Sequence, residues 1–298
     1  AMLGNSSEGN AGEYNVALGY AALTAVTDGS SNTIAGAYAG DAITTGERNV
    51  AMGTSALSAE NTGSKNTAIG YVALSSLDYN GNGQNTAVGH SAGSNLTTGI
   101  NNTIVGGDAG DLMTTTSNTV LIGYNTGTAM SAGSTTGDGT VAVGSSALAA
   151  LTDGQRNVAL GYNTMLETTI GDSNIAIGYQ ALLGDAGFQN NNNIAIGSSD
   201  PDGTLAAMGG QWETAASSRN IAIGTGSMTG AMNASNDNTA VGYKSLNVIT
   251  EGDFNTALGS NAGKFITTGS SNTYVGTNAG IGITGAKLTG SNNTAVGK

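Results

Sequence analysis

Apolar and polar positions along this 298-residue chain repeat on a fixed short cycle. The segment Asn-(Val/Ile/Thr)-Ala-aliphatic-Gly, or a close variant of it, recurs sixteen times, most often seventeen residues apart. Each copy is numbered here from its closing glycine, position 0, which falls at Gly19, Gly36, Gly53, Gly70, Gly89, Gly106, Gly123, Gly144, Gly161, Gly178, Gly197, Gly224, Gly242, Gly259, Gly276 and Gly297. A short fixed period marks one structural unit stacked on copies of itself. Position −3 is always Val, Ile or Thr, and position −1 is Leu, Ile, Val or Met everywhere except Ala35. Two β-branched or aliphatic residues with one residue between them share a strand face. The spacing therefore predicts a short strand in every copy, with −3 and −1 as the inward wall of a coil.

Position −4 is Asn in fourteen copies, namely Asn15, Asn32, Asn49, Asn66, Asn85, Asn102, Asn157, Asn174, Asn193, Asn220, Asn238, Asn255, Asn272 and Asn293; Thr119 and Thr140 replace it in the other two. Asn accepts the left-handed region and bonds local backbone, so it suits the corner entering a strand, and stacked copies can form an amide ladder. The column is read as structural. The closing glycine marks the next corner. Beyond it, Ala-Leu or Ala-Gly at +3/+4 and an aliphatic at +7 (Val26, Ile43, Leu77, Leu96, Ile249) predict a second arm. A bulged strand and a short helical turn fit that arm equally well.

Position −2 is Ala in twelve copies and Ile34, Ile104, Leu121 or Tyr274 in the rest, never charged. With −3 and −1 facing in, this stripe would face out, where small apolar residues suit close packing against another copy of the chain. The alternative is that it packs beneath the coil's own second arm. The fold expected is all-β: a parallel β-roll or β-solenoid of about sixteen coils. Residues 1–14 would form a lead-in and 15–298 the array, with an insertion loop at 198–219.

Composition narrows the function. Only 9% of residues are charged, the net charge is −12, and 49 glycines stand against one proline. No basic run offers a nucleic-acid surface, and no apolar run approaches a membrane span. Neither partner is expected. Cysteine is absent, which removes disulfides and thiolate metal sites. With His90 the only histidine, no Ser-His-Asp arrangement is expected. Acidic residues such as Asp28, Asp41, Asp108, Asp111, Asp153, Asp172, Asp185 and Asp253 mostly adjoin turn glycines or corners, where Asp serves turn chemistry. Calcium-binding repeat patterns are missing, and Asp200–Gly203 and Asp108–Asp111 are weak cation candidates. Threonines at −3 raise ice binding, but their exchange with Val and Ile points to half-buried positions. No cofactor, metal or catalytic residue is expected. The longest insertion, Ser198–Arg219, holds the only proline and the only tryptophan, so Gln211, Trp212 and Glu213 are the candidate receptor contacts; the alternative is that Trp212 plugs a gap at an interface or under its own loop.

The runs Asn66-Thr-Ala-Ile-Gly-Tyr71-Val-Ala-Leu74, Asn174-Ile-Ala-Ile-Gly-Tyr179-Gln-Ala-Leu182 and Asn238-Thr-Ala-Val-Gly-Tyr243-Lys-Ser-Leu246 resemble two groups. These are the head domain of trimeric autotransporter adhesins, with its Asn-Ser-Val-Ala-Ile-Gly type motif, and the repetitive shaft of bacteriophage tail fibres. The resemblance covers nearly the whole chain. It implies a homotrimeric fibre at a virion or cell surface, outside the cell, that attaches to a glycan or protein receptor. The coil here is longer than in typical adhesin heads, and neither a heptad stalk nor a barrel anchor follows. Those departures favour a virion fibre and a fragment of a longer protein. A glycan-processing fibre with interchain carboxylates and a purely architectural filament are the alternatives.

Overall fold

The computed structural model describes residues 12–130, 137–184, 187, 189–199, 205–209, 215–282 and 288–298. Among these the chain is an all-β parallel solenoid with a period of about seventeen residues and no helix. It divides into two compact units, Ala1–Ser145 and Ser146–Lys298. The first carries β1 (Val16–Leu18) through β8 (Val141–Val143), the second β9 (Val158–Leu160) through β16 (Thr294–Val296). Every strand is three residues long, from −3 to −1. Within each unit successive strands pair in parallel and in strict register, as in Thr67↔Thr86, Ala68↔Ala87 and Ile69↔Val88.

Facing is the reverse of the sequence expectation. The central strand residue, −2, is fully buried in Ile34, Ala51, Ala68, Ala87, Ile104 and Leu121 and in Ala159, Ala176, Ala195, Ala222, Ala240 and Ala257. Positions −3 and −1 point outward, with Leu18 70%, Met52 45%, Leu160 46% and Leu258 50% exposed. The small-residue stripe is therefore not an interchain seam. It packs beneath the coil's own second arm, the alternative weighed above. A three-residue strand offers a single inward position, and the narrow interior favours alanine there.

The second arm is neither a bulged strand nor a helical turn. It is two consecutive turns, closed in one coil by Ala39 N–H donating to Gly36 O at 3.4 Å and Ile43 N–H to Gly40 O at 3.2 Å. Residues +2 and +4 are left-handed, as in Ser55 and Leu57 (φ 54° each) or Val72 (49°) and Leu74 (48°). Such a conformation strains a bulky L-residue. Interior packing and hydrogen bonds to the adjacent coils hold it: Leu57 N–H donates to Ala73 O at 3.0 Å. The left-handed residue before the strand is −5 (Ser31, Arg48, Lys65), not the asparagine at −4.

Interior volume is balanced between −2 and +4. Alanine at −2 accompanies Leu57, Leu74, Leu182, Met165, Met228 or Leu246 at +4, whereas Ile34, Ile104, Leu121 and Tyr274 accompany Gly40, Gly110, Gly127 and Gly280. A Cβ on Gly40 would lie 2.9 Å from Ile43 Cδ1 and 3.2 Å from Ile34 Cδ1. The two coils that join Ala at −2 to Gly at +4 obey the same rule one step away: Gly93 is overlain by Ile104, and Gly263 by Tyr274, of the next coil.

The closing glycines stack at φ between 121° and 156°. On Gly19, Gly36, Gly53, Gly70, Gly89 and Gly106 a Cβ would collide with the carbonyl of the glycine one coil on. Here glycine is required both by dihedral and by space.

Two variants test the interior. Ile34→Ala alone should cost about 2–5 kcal/mol by leaving a cavity, and Gly40→Leu alone about 1–3 kcal/mol by overpacking. Together they recreate the Ala51/Leu57 arrangement, so denaturant unfolding should show the double variant recovering more than about 1 kcal/mol relative to additivity. Simple additivity would refute the volume rule.

Candidate interaction surface

Two side-chain ladders position everything the coils display. In the first, the −4 amide Oδ1 accepts the backbone N–H of the next coil's −4 residue, at 2.9 Å for Asn32→Asn15, Asn49→Asn32 and Asn66→Asn49. The series continues at 3.2 Å for Asn85→Asn66 and 3.0 Å for Asn102→Asn85 and Thr119→Asn102. In the second unit Asn174, Asn193, Asn220, Asn238, Asn255, Asn272 and Asn293 do the same at 2.9–3.0 Å, beginning on Asn157. The Nδ2 group donates to the +10 carbonyl of its own coil, as Asn32 to Gly46 O and Asn255 to Gly269 O. Most of the column is fully buried, and its bonding capacity is used largely by the chain itself, with Asn66 Nδ2 an exception.

The second ladder was not seen in the sequence. At −6 a side-chain oxygen accepts the backbone N–H of the preceding coil's −6 residue, opposite in sense to the asparagine column. It runs unbroken through Gln155→Asp172 (2.8 Å), Asp172→Asn191 (2.7 Å), Asn191→Ser218 (3.1 Å), Ser218→Asn236 (2.9 Å), Asn236→Asp253 (2.7 Å), Asp253→Ser270 (3.0 Å) and Ser270→Ser291 (3.0 Å). Its signal was available: −6 is Ser, Asp, Asn, Glu or Gln in all copies but Gly83 and Ile100. It gives Asp172 and Asp253 a structural occupation.

Between these ladders and the closing glycines lies the outward sheet face. Valine, isoleucine and threonine at −3 and larger aliphatics at −1 form two columns in register, one residue per coil. Tyrosine recurs beside them at +1: Tyr20, Tyr71, Tyr124, Tyr162, Tyr179 and Tyr243 are 41–73% exposed. Rings on successive coils meet, Tyr162 stacking on Tyr179 (centroids 5.7 Å, 8° between planes) and Tyr71 on His90 (5.3 Å, 24°). None of the 20 acidic residues stands at −3, −1 or +1. Positive charge borders the face at −5, where Arg48, Lys65, Arg156 and Arg219 hold half of the eight basic residues. Arg219 forms a two-pronged pair with Asp237 on the next coil, at 2.7 and 2.8 Å. That hydrogen bond holds the Asp237 carboxyl below the usual carboxylate range.

Ser91, His90 and Asp108 do come together, contrary to expectation. Ser91 Oγ lies 3.0 Å and Asp108 Oδ1 3.3 Å from His90. Both address the same ring nitrogen, Nδ1, whereas a nucleophilic triad needs serine on Nε2 and the carboxylate on Nδ1. Burial raises the Asp41 and Asp111 carboxyls, with the Asp108 charge adding to the latter. Among the described residues no group of three or more His, Cys, Asp or Glu is placed to hold a metal ion. Likewise among these residues, no helix is long and apolar enough to cross a membrane.

Gln211, Trp212 and Glu213 lie outside the described residues, as do Asp185 and Asp200–Gly203. Part of the same insertion is wound into the coil. Ala206, Ala207 and Met208 are fully buried, and Ala207 O accepts from Leu182 N–H at 3.1 Å while Met208 N–H donates to Ser227 O at 3.0 Å. They fill the +3/+4 place of their coil. Compared with known proteins, the chain matches no family model, and no curated protein is significantly similar to it.

Proposed function

We propose that this chain is a structural and attachment fibre segment at a virion or cell surface, whose copies associate through the outward sheet face as a homotrimer and present loops to a receptor. One observation carries the reading: a chain of net charge −12 keeps all its carboxylates off one periodic, exposed, aliphatic and tyrosine-rich face. Copies with a large common charge repel one another wherever acidic surfaces meet. A face free of acids is where they can approach, and its content of exposed aliphatics and tyrosine matches the core of protein interfaces. Burying one Val, Leu, Ile or Met side chain is worth ~1.5–3 kcal/mol. Association costs roughly 4–15 kcal/mol in lost freedom, so about six such residues per copy suffice. Attachment then works by multivalency, three weak copies of one contact acting together. The resemblance of the repeats to adhesin heads and tail-fibre shafts supports the same reading.

Native mass spectrometry and sedimentation should give a mass three times that of the chain. Replacing Met52 and Ile69 on the outward face with Lys should convert the assembly to folded monomer, with unchanged far-UV circular dichroism. A monomeric wild-type chain would end the proposal. For attachment, Gln211→Ala, Trp212→Ala and Glu213→Ala combined should lower binding to host cells by at least about tenfold while the mass stays trimeric; each such contact is worth about 1–2 kcal/mol or more. Unaltered binding would leave a purely architectural filament, and release of oligosaccharides from host polysaccharide would favour the glycan-processing alternative.

A further inference from the structure

Position +7 is an aliphatic core position in most coils, including the buried Ile43 and Leu77 on either side of the coil that Gly53 closes; in that coil it is Glu60. The Glu60 side chain is fully buried. Its Oε1 accepts the Gly63 N–H at 2.7 Å, while Oε2 has no hydrogen-bond partner. A Cβ on Gly63 would collide with the carboxylate, which therefore fills the space against the corner. The next coil is two residues longer than the usual period, carrying Asp78–Gly83 at its corner. There the asparagine column loses a bond: Asn66 Nδ2 is buried and unpartnered, and Gly83 lies against its amide. The two corners are joined by Ser64 N–H to Gly81 O at 2.8 Å and Gly83 N–H to Ser64 O at 2.9 Å.

Among the described residues no cation pairs with Glu60. Arg48 pairs with Glu47 instead, and the charged group that acts on Glu60 is Asp78, of like sign. Burial first, and Asp78 in addition, push the carboxyl up to about 7, against the opposing backbone N–H groups of Gly63, Tyr79 and Asn61. The sign follows from the folded value lying above the ordinary 4.5. The stabilising contribution is complete below about pH 4.5, falls as pH rises towards about 7, and is absent above it.

We propose that Glu60 makes the joint between the coils closed by Gly53 and Gly70 proton-gated: neutral Glu60 holds the 60–66 and 78–83 corners together, and its ionisation opens them to water. A buried carboxylate with an unsatisfied oxygen and an acidic neighbour has only backbone N–H groups of the two corners with which to accommodate charge. Opening the corner supplies water to both orphaned groups at once. The inference is independent of how copies of the chain associate.

Hydrogen exchange on the 298-residue chain tests it. Corrected for intrinsic base catalysis, protection of the Ser64 and Gly83 amides should fall about tenfold or more between about pH 5.5 and pH 8.5. Corner amides of other coils, such as Arg48 and Ser271 one position nearer the strand, should hold steady. In Glu60→Gln the Ser64 and Gly83 amides should also hold steady across that range. A flat wild-type profile, or the same fall in Glu60→Gln, overturns the proposal. Should Glu60→Gln fail to fold, carbon NMR titration of the wild-type Glu60 carboxyl decides: a midpoint near 7 supports gating, and one near the ordinary value of 4.5 removes it.

Discussion

Close approach of successive backbones at the closing glycines is the constraint from which the rest of this solenoid follows. A side chain at that corner would collide with the carbonyl one coil further on, so the coils can adopt strand spacing of ~4.8 Å only where Cβ is missing. Once they do, most backbone groups outside the turns of the second arm find their partner in an adjacent coil rather than within their own. Ser31 N–H reaches Glu13 O, Thr33 N–H reaches Asn49 O, and Gly36 N–H reaches Leu18 O. Hydrogen bonding thus runs along the stack and leaves each coil in isolation with little to hold it. Left-handed leucines are tolerated for the same reason, since neighbours on both sides over-determine the conformation.

The two ladders extend that logic to side chains. Asparagine at −4 takes an N–H from the following coil, and the polar residue at −6 takes one from the preceding coil, so a corner is clamped in both directions. Burial makes the −4 amides consequential, because an unsatisfied buried polar group costs about 1–3 kcal/mol. Thr119 shows what the column needs: its N–H donates to Asn102 Oδ1 at 3.0 Å, and its own hydroxyl donates to the same oxygen at 2.7 Å. A short side chain with a donor can close the ladder where the amide is missing.

The recurring five-residue motif made coils, strand positions and corners legible, because period and glycine placement depend on backbone geometry alone. Facing was not legible from parity. A pair of β-branched residues flanking an alanine satisfies either orientation, and hydrophobicity argues for putting the larger pair inside. Volume decides otherwise: Ile34 with Gly40 and Ala51 with Leu57 fill one narrow space, and that reciprocity was present in the sequence. The second arm was illegible because its leucines sit at φ near 50°, a state that local preference assigns to Gly, Asn or Asp. Of the candidate contacts, Gln211–Glu213 were marked by the rarity of tryptophan alone.

Inverting the faces changes the argument for association without weakening it. An inward alanine contributes little interior volume, so each coil devotes its β-branched and large aliphatic residues to the outside of the sheet. Regular exposure of Met52, Ile122, Leu160 and Leu258, with acids excluded from the same columns, supports the proposed covering of that face. Because the columns repeat coil by coil, a covering partner must match the same repeat. In the proposed assembly that partner is another copy of the chain, and each added coil would lengthen the contact and the interior by the same step.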